Sequence, residues 1–125
     1  MPDTLIIIPT YQEAENIRNL LNIIYSLPKE FHVLVIDDNS PDQTQVIVKS
    51  MMKENPDKLF LIERPGKLGL GTAYLTGFKW ALTHKYDYVF EMDADFSHNP
   101  KDLIPIYEAC VNNQADMAIG SRYKK

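Results

Sequence analysis

Two aspartates one residue apart, Asp93 and Asp95, close the apolar run Tyr88-Val89-Phe90-Glu91-Met92. That run reads as a buried strand, so the pair sits at a strand's carboxyl end. In open α/β sheets, ligands bind just outside such ends. Two carboxylates with no basic residue between them repel each other, and a hard divalent cation relieves the repulsion. Mg2+ or Mn2+ suits these oxygen donors, and Mg2+ is commonly shared between one or two carboxylates and the phosphates of a substrate. The chemistry indicated is a metal-phosphate ligand. The plain alternative for an isolated Asp-x-Asp is a solvated acidic turn, and the rest of the chain weighs against it.

Other polar groups fall at equivalent places. The apolar run 5–8 leads into Pro9-Thr10-Tyr11-Gln12-Glu13, and the run 32–36 into Asp37-Asp38-Asn39-Ser40. The run 59–62 leads into Glu63-Arg64, and the run 117–119 into Gly120-Ser121-Arg122. Tyr11 offers an aromatic face on which a nucleobase can stack. Asp37 or Asp38 can accept a hydrogen bond from a base or ribose. A carboxylate at Asp37 pairs with a ring N–H of guanine or uracil, whereas adenine has none on that edge. Ser40 before Pro41 also reads as a helix N-cap, a role compatible with the first. Gly66, Gly69, Gly71 and Gly77 mark a loop entering a helix, whose amides attract phosphate. Their spacing matches neither the P-loop nor the dinucleotide fingerprint. Arg64 and Arg122 are candidate cationic forks for phosphate, against the default of a solvated arginine.

The elements that must position these groups alternate regularly. A helix is expected over residues 14–27, with Ile17, Leu20, Leu21 and Ile24 at helical spacing. A second is expected over 41–54, with Val46, Ile47 and Met51 inward. A third covers 69–84, with Ala73, Phe78, Ala81 and Leu82 as packing residues. A fourth covers 101–113, after the Asn99-Pro100 cap. Short apolar strands separated by helices predict a mostly parallel sheet covered on both faces. The fold class is therefore α/β, a Rossmann-like three-layer α/β/α arrangement. Strand one is central between strands two and four, and all five polar ends share one edge.

Bulk properties agree. The chain has 125 residues, the length of one domain, and no linker or repeat divides it. A net charge of −4 argues against a nucleic-acid partner. The single cysteine, Cys110, permits no internal disulfide or thiolate cluster and is expected to pack in the core. No basic leader precedes the first apolar run, and no stretch of about 18 apolar residues occurs. A cytoplasmic domain is expected.

Five segments together resemble a known family. They are Pro9-Thr10-Tyr11-Gln12-Glu13-Ala14-Glu15-Asn16-Ile17, Val35-Ile36-Asp37-Asp38-Asn39-Ser40-Pro41-Asp42, Gly66-Lys67-Leu68-Gly69-Leu70-Gly71-Thr72-Ala73, Met92-Asp93-Ala94-Asp95-Phe96-Ser97-His98-Asn99-Pro100 and Gly120-Ser121-Arg122-Tyr123. In this order they resemble family 2 glycosyltransferases with the GT-A fold, and within that family the dolichyl- or polyprenyl-phosphate mannosyltransferase type. Gln12 stands where many members carry asparagine. The resemblance implies that Pro9, Tyr11, Glu13, Asp37 and Asp38 embrace the nucleotide, with Asp93 beside them. It implies that Asp93 and Asp95 hold Mg2+ or Mn2+ against the diphosphate. Ser97 stands where some members place a metal-touching glutamine. Catalytic weight falls on Asp95 and on Arg122, which meets donor or acceptor phosphate.

The implied reaction is inverting transfer of mannose or glucose from a GDP- or UDP-linked sugar to a polyprenyl or dolichyl phosphate. Such an acceptor is already an anion and needs no strong general base. Family members usually continue past the Gly-Ser-Arg segment. The chain is therefore expected to be the nucleotide-binding half of an enzyme truncated at its C-terminus, poor in transfer by itself and prone to self-association. Attachment of the parent to the cytoplasmic face of a membrane would be peripheral or through the missing part. Two other readings fit part of the pattern: a catalytically idle nucleotide-diphosphate-binding module, and an aspartyl-phosphate enzyme or receiver domain. The second puts its paired acids after the first strand, whereas here Asp-x-Asp follows the fourth.

Overall fold

The computed structural model describes residues 3–66 and 68–112. The expected fifth strand over 117–119, and Gly120, Ser121 and Arg122, lie outside the described residues. Four strands form one sheet: β1 (Thr4–Thr10), β2 (His32–Asp37), β3 (Leu59–Glu63) and β4 (Tyr88–Glu91). Their order is β3-β2-β1-β4 and every pairing is parallel. β1 is central, as its continuous run of buried isoleucines anticipates, because both faces of a parallel strand are covered.

Helices α1 (Ile17–Ser26), α2 (Thr44–Glu54) and α4 (Leu103–Asn112) cover one face, against Ile6, Ile8, Val33, Val35 and Phe90. Helix α3 (Leu70–Thr83) covers the other, against Leu5, Ile7, Leu34, Ile36 and Val89. The crossover thus changes face after β3, and a crevice opens between the carboxyl ends of β1 and β4.

The helices depart from expectation in instructive ways. The stripe of α1 is as predicted: Ile17, Leu20, Leu21 and Ile24 are all fully buried. That helix starts at Ile17 rather than Ala14, because the Glu13 carbonyl accepts from the amides of both Asn16 and Ile17 and closes a turn first. Helix α2 starts at Thr44 rather than Pro41, and Ser40 is not its cap. The Ser40 amide and hydroxyl are both donated to Asp37 instead, at 2.8 and 2.6 Å. With the start shifted, Val48 and Met51 face inward and Val46 is 61% exposed. Leu82 of α3, expected inward, is 76% exposed. Ala73 and Ala81 face the sheet as expected, with Phe78 packed beside them, and they are joined by Tyr74, with Gly77 between. Gly77 lies so close to β1 that a Cβ there would meet Ile7 Cδ1 at 2.7 Å. Before α4, the Asn99 side chain accepts from the Lys101 amide at 3.0 Å, the expected cap, and a 3-10 turn at Pro100–Asp102 leads in. Cys110 is buried in the core, and burial pushes its thiol pKa up.

Candidate donor-binding cleft

The crevice holds a cavity of about 220 Å3. The end of β1 contributes Pro9, Thr10, Tyr11 and Glu13, and the end of β2 contributes Asp38. The entry to α3 contributes Gly69 and Ala73, and the end of β4 contributes Asp93, Ala94 and Asp95. The structure therefore gathers Pro9, Tyr11, Glu13, Asp38, Asp93 and Asp95 around one cavity, although they come from three loops far apart in sequence.

The β1 and β2 loops are stitched together. Gln12, with φ at 57°, directs its amide to Ser40 Oγ at 2.8 Å. The Glu13 amide donates to Thr44 Oγ1 at 3.0 Å and the Ala14 amide to Asp42 Oδ2 at 3.3 Å. Thr44 donates its own amide to Asp42 Oδ1, and hydrogen bonds from Thr44 and Ala14 outweigh burial to hold Asp42 below the usual carboxylate range.

Asp37 is the post behind this wall. Its Oδ1 accepts from Thr10 Oγ1 and Ser40 Oγ, both at 2.6 Å. Its Oδ2 accepts from the Ser40 amide at 2.8 Å and Gln45 Nε2 at 2.6 Å. A carboxylate has about four lone-pair sites, and here four protein donors use them. Asp37 is fully buried and does not line the cavity. A base N–H would reach it only by displacing one of those donors, so the direct base contact expected of Asp37 is not offered by this arrangement.

Asp38 does line the cavity and carries the buried ion pair of the site. Arg64 Nε and Nη2 meet its two oxygens at 2.6 and 3.0 Å. The amides of Leu68 and Gly69 add to Oδ2 at 3.0 and 3.3 Å. Burial alone would raise the Asp38 pKa; the Arg64 hydrogen bonds and these amides outweigh it and hold the carboxyl below its usual range. Arg64 also donates Nη1 to Thr72 Oγ1 at 3.0 Å and Nη2 to the Gly69 carbonyl at 2.9 Å. It is buried, so it is neither a solvated arginine nor a free fork for phosphate. In the glycine loop expected to attract phosphate, the amides of Leu68 and Gly69 are turned to Asp38 instead. Gly69, at φ 101°, occupies a conformation that glycine adopts readily.

The Asp-x-Asp loop is ordered by a donor on α3 and by donors of its own. Tyr74 Oη donates to Asp93 Oδ1 at 2.8 Å, and Ser97 Oγ lies 3.4 Å from Asp93 Oδ2. The Ser97 amide donates to Asp95 Oδ1 at 3.0 Å. Hydrogen bonds from Ser97 lower the Asp95 pKa, although Asp95 is exposed. Phe96 between them has φ at 63°, an outlier for a bulky residue. His98 is buried, and among the described residues its Nδ1 has no hydrogen-bond partner. Backbone strain and an unpaired buried atom in one short loop are costs that functional sites commonly carry.

Electrostatics define the cleft. Burial raises the Glu13 pKa, and the charges of Asp95, Asp42 and Asp93 push it further, against a hydrogen bond from Asn16. Four carboxylates line the cavity: Glu13, Asp38, Asp93 and Asp95. Among the described residues no cationic side chain lines it, since Arg64 is spent on Asp38. A divalent cation fits this donor set. Asp93 and Asp95 supply hard oxygens, and no cluster of three or more His, Cys, Asp or Glu forms a cage among the described residues. Such a site takes its remaining ligands from a phosphate and water.

A family model for glycosyl transferase family 2 matches residues 5–125. The chain belongs to glycosyl transferase family 2. It is 44% identical over 120 residues to a polyprenol monophosphomannose synthase of Mycolicibacterium smegmatis, covering 96% of this chain and 45% of that protein. It is 43% identical over 118 residues to an undecaprenyl-phosphate mannosyltransferase of Micrococcus luteus, covering 94% and 47%. The chain thus spans just under half the length of these relatives. Among solved structures, the mannosyltransferase PcManGT of Pyrobaculum calidifontis, in complex with GDP-Man and Mn2+, superposes with a TM-score of 0.68 at 31% identity. That match covers 82% of this chain and 30% of the other. S. aureus TarS 1-349, in complex with UDP-GlcNAc, gives 0.69 at 30% identity, covering 90% and 32%. The α/β architecture of this family 2 member is that of the GT-A glycosyltransferases.

Sequence reasoning missed Tyr74, Thr10, Gln45 and Thr44, which touch the named carboxylates. The signal for Tyr74 was its position one residue after Ala73 and three before Gly77 on the face that meets the sheet. Thr10 and Gln45 carried none, because Asp37 lies 27 and 8 residues away from them; Thr44 is two residues from Asp42, a local turn contact that the helix expected from Pro41 concealed.

Proposed function

We propose that this chain forms the donor-binding part of an inverting glycosyltransferase that moves a sugar, mannose by the names of its relatives, from a nucleoside diphosphate to a polyprenyl phosphate. The observation that carries the reading is the cleft lined by four carboxylates and, among the described residues, by no cation. A diphosphate is repelled from such a surface unless a divalent cation enters with it. Asp93 and Asp95 would hold Mg2+ or Mn2+, with Ser97 fixing their carboxylates. Bound there, the cation supplies Lewis-acid stabilisation of the charge that grows on the departing diphosphate.

The protein's own groups do the remainder. Tyr11 and Pro9 flank the base, and Tyr11 stacks on it. Glu13 and Asp38 line the ribose side. Base choice between guanine and uracil rests on the donors of the structural neighbours, GDP-Man and UDP-GlcNAc, rather than on Asp37. The acceptor's phosphate oxygen attacks the anomeric carbon opposite the diphosphate. The carbon–oxygen bond to the diphosphate breaks, and its electron pair leaves with that group. An anionic acceptor makes a general base unnecessary, and Arg122 is assigned to meet phosphate. No helix among the described residues is long and apolar enough to cross a membrane. In this reading the described part approaches the cytoplasmic face of a bilayer from the side.

The test is calorimetric titration of GDP and UDP with Mn2+ and with chelator. Wild type should bind markedly better with Mn2+, and Asp95→Asn should lose that increment while folding normally, since Asp95 is exposed. Equal affinity with and without chelator in wild type would refute the reading.

A further inference from the structure

Asp93 is held from a helix that carries none of the expected ligands. Helix α3 lies against β1 through Ala73, Tyr74 and Ala81, and Gly77 permits an approach that any Cβ would obstruct. At that depth Tyr74 is only 7% exposed and its phenol reaches Asp93 Oδ1 at 2.8 Å. A second contact on this carboxylate, from Ser97 Oγ, is longer at 3.4 Å. Tyr74 therefore supplies a short, well-formed hydrogen bond to Asp93 from outside its loop. The same helical turn is fixed from the other side of the cleft. Arg64 reaches Thr72 Oγ1 and the Gly69 carbonyl while it grips Asp38. The first turn of α3 is thus a strut between the Asp38 wall and the Asp-x-Asp loop.

We propose that Tyr74 is a positioning residue for the divalent cation, acting through Asp93. This rests on the donor-site reading above. A carboxylate pinned at one oxygen has a single orientation, and the two acids do not have to be ordered against their mutual repulsion when the cation arrives. Groups that orient a metal ligand typically set affinity by about 10- to 100-fold. Phenylalanine at position 74 keeps the ring that packs on the sheet and removes only the hydroxyl.

The experiment measures Mn2+ binding to the GDP-loaded chain by electron paramagnetic resonance, GDP binding with chelator by calorimetry, and urea unfolding. It compares wild type with Tyr74→Phe. The expected result is Mn2+ affinity weakened about 10- to 100-fold in Tyr74→Phe, with chelator-condition GDP affinity unchanged and cooperative unfolding retained. Wild-type Mn2+ affinity in a folded Tyr74→Phe protein overturns the Tyr74 role and leaves the donor-site reading standing. Equal loss of Mn2+ and metal-free GDP binding also overturns it, because the residue would then support the cleft in general. Absence of Mn2+-dependent binding of both GDP and UDP in wild type removes the donor-site reading and the Tyr74 role together.

Discussion

Replacing Arg64 with leucine isolates the buried ion pair that holds the glycine loop. The change removes the two contacts to Asp38, at 2.6 and 3.0 Å, and those to Thr72 and Gly69. Asp38 stays buried, keeping only the amides of Leu68 and Gly69. Removing one partner of a buried pair costs about 3–5 kcal/mol, chiefly through the stranded charge. Two remaining amides place the expected loss near the lower end, about 3 kcal/mol at pH 7. The pH dependence has a definite sign. In the wild type the folded-state pKa of Asp38 is depressed, so its contribution is complete above the unfolded value and is lost as pH falls through the folded one. In the variant, burial without Arg64 raises the Asp38 pKa, so acid relieves the penalty. The gap between the proteins should therefore narrow on acidification, first as the variant's Asp38 protonates and then, below about pH 4, as the wild type's does. Urea unfolding followed by circular dichroism from pH 7 downward reads both effects. A loss under about 1 kcal/mol at pH 7, or a gap constant with pH, would refute the argument. Replacing Arg64 and Asp38 together by leucine should cost less than Arg64→Leu alone.

Four further outcomes test the frame around the site. Asp37→Asn turns an amide NH2 toward donors that need an acceptor, so urea unfolding should show a loss of about 1–3 kcal/mol for each donor stranded. Gly77→Ala drives a methyl against Ile7 and should cost about 1–3 kcal/mol in the same assay, partly restored by adding Ile7→Val. Leu82→Ala, at a position 76% exposed, should change stability by no more than about 0.5 kcal/mol. Ile24→Ala on the buried face of α1 should cost about 2–5 kcal/mol.

Apolar runs and spacing in the chain already dictate the alternation of strands and helices, the parallel sheet with β1 central, and the buried stripe of α1. These follow from apolar runs and periodicities among near neighbours, and a strand with no polar face has nowhere to go but the middle of a covered sheet. Sequence also put the polar ends of the four described strands on one edge, because parallel strands leave no other arrangement. It named Ala73, Phe78 and Ala81 correctly for the inward face of α3, but placed Leu82 there too and missed Tyr74 and Gly77. Small residues carry little hydrophobic signal, yet they are what a close helix–sheet contact requires. Only the tertiary structure decided how the polar groups are spent. Ser40 serves Asp37 rather than a helix end, Arg64 serves Asp38 rather than solvent or phosphate, and Tyr74 reaches Asp93. Each of these choices depends on which loops meet at the sheet edge. A buried charge takes the nearest partner in space, and for Asp38 that partner is 26 residues away along the chain.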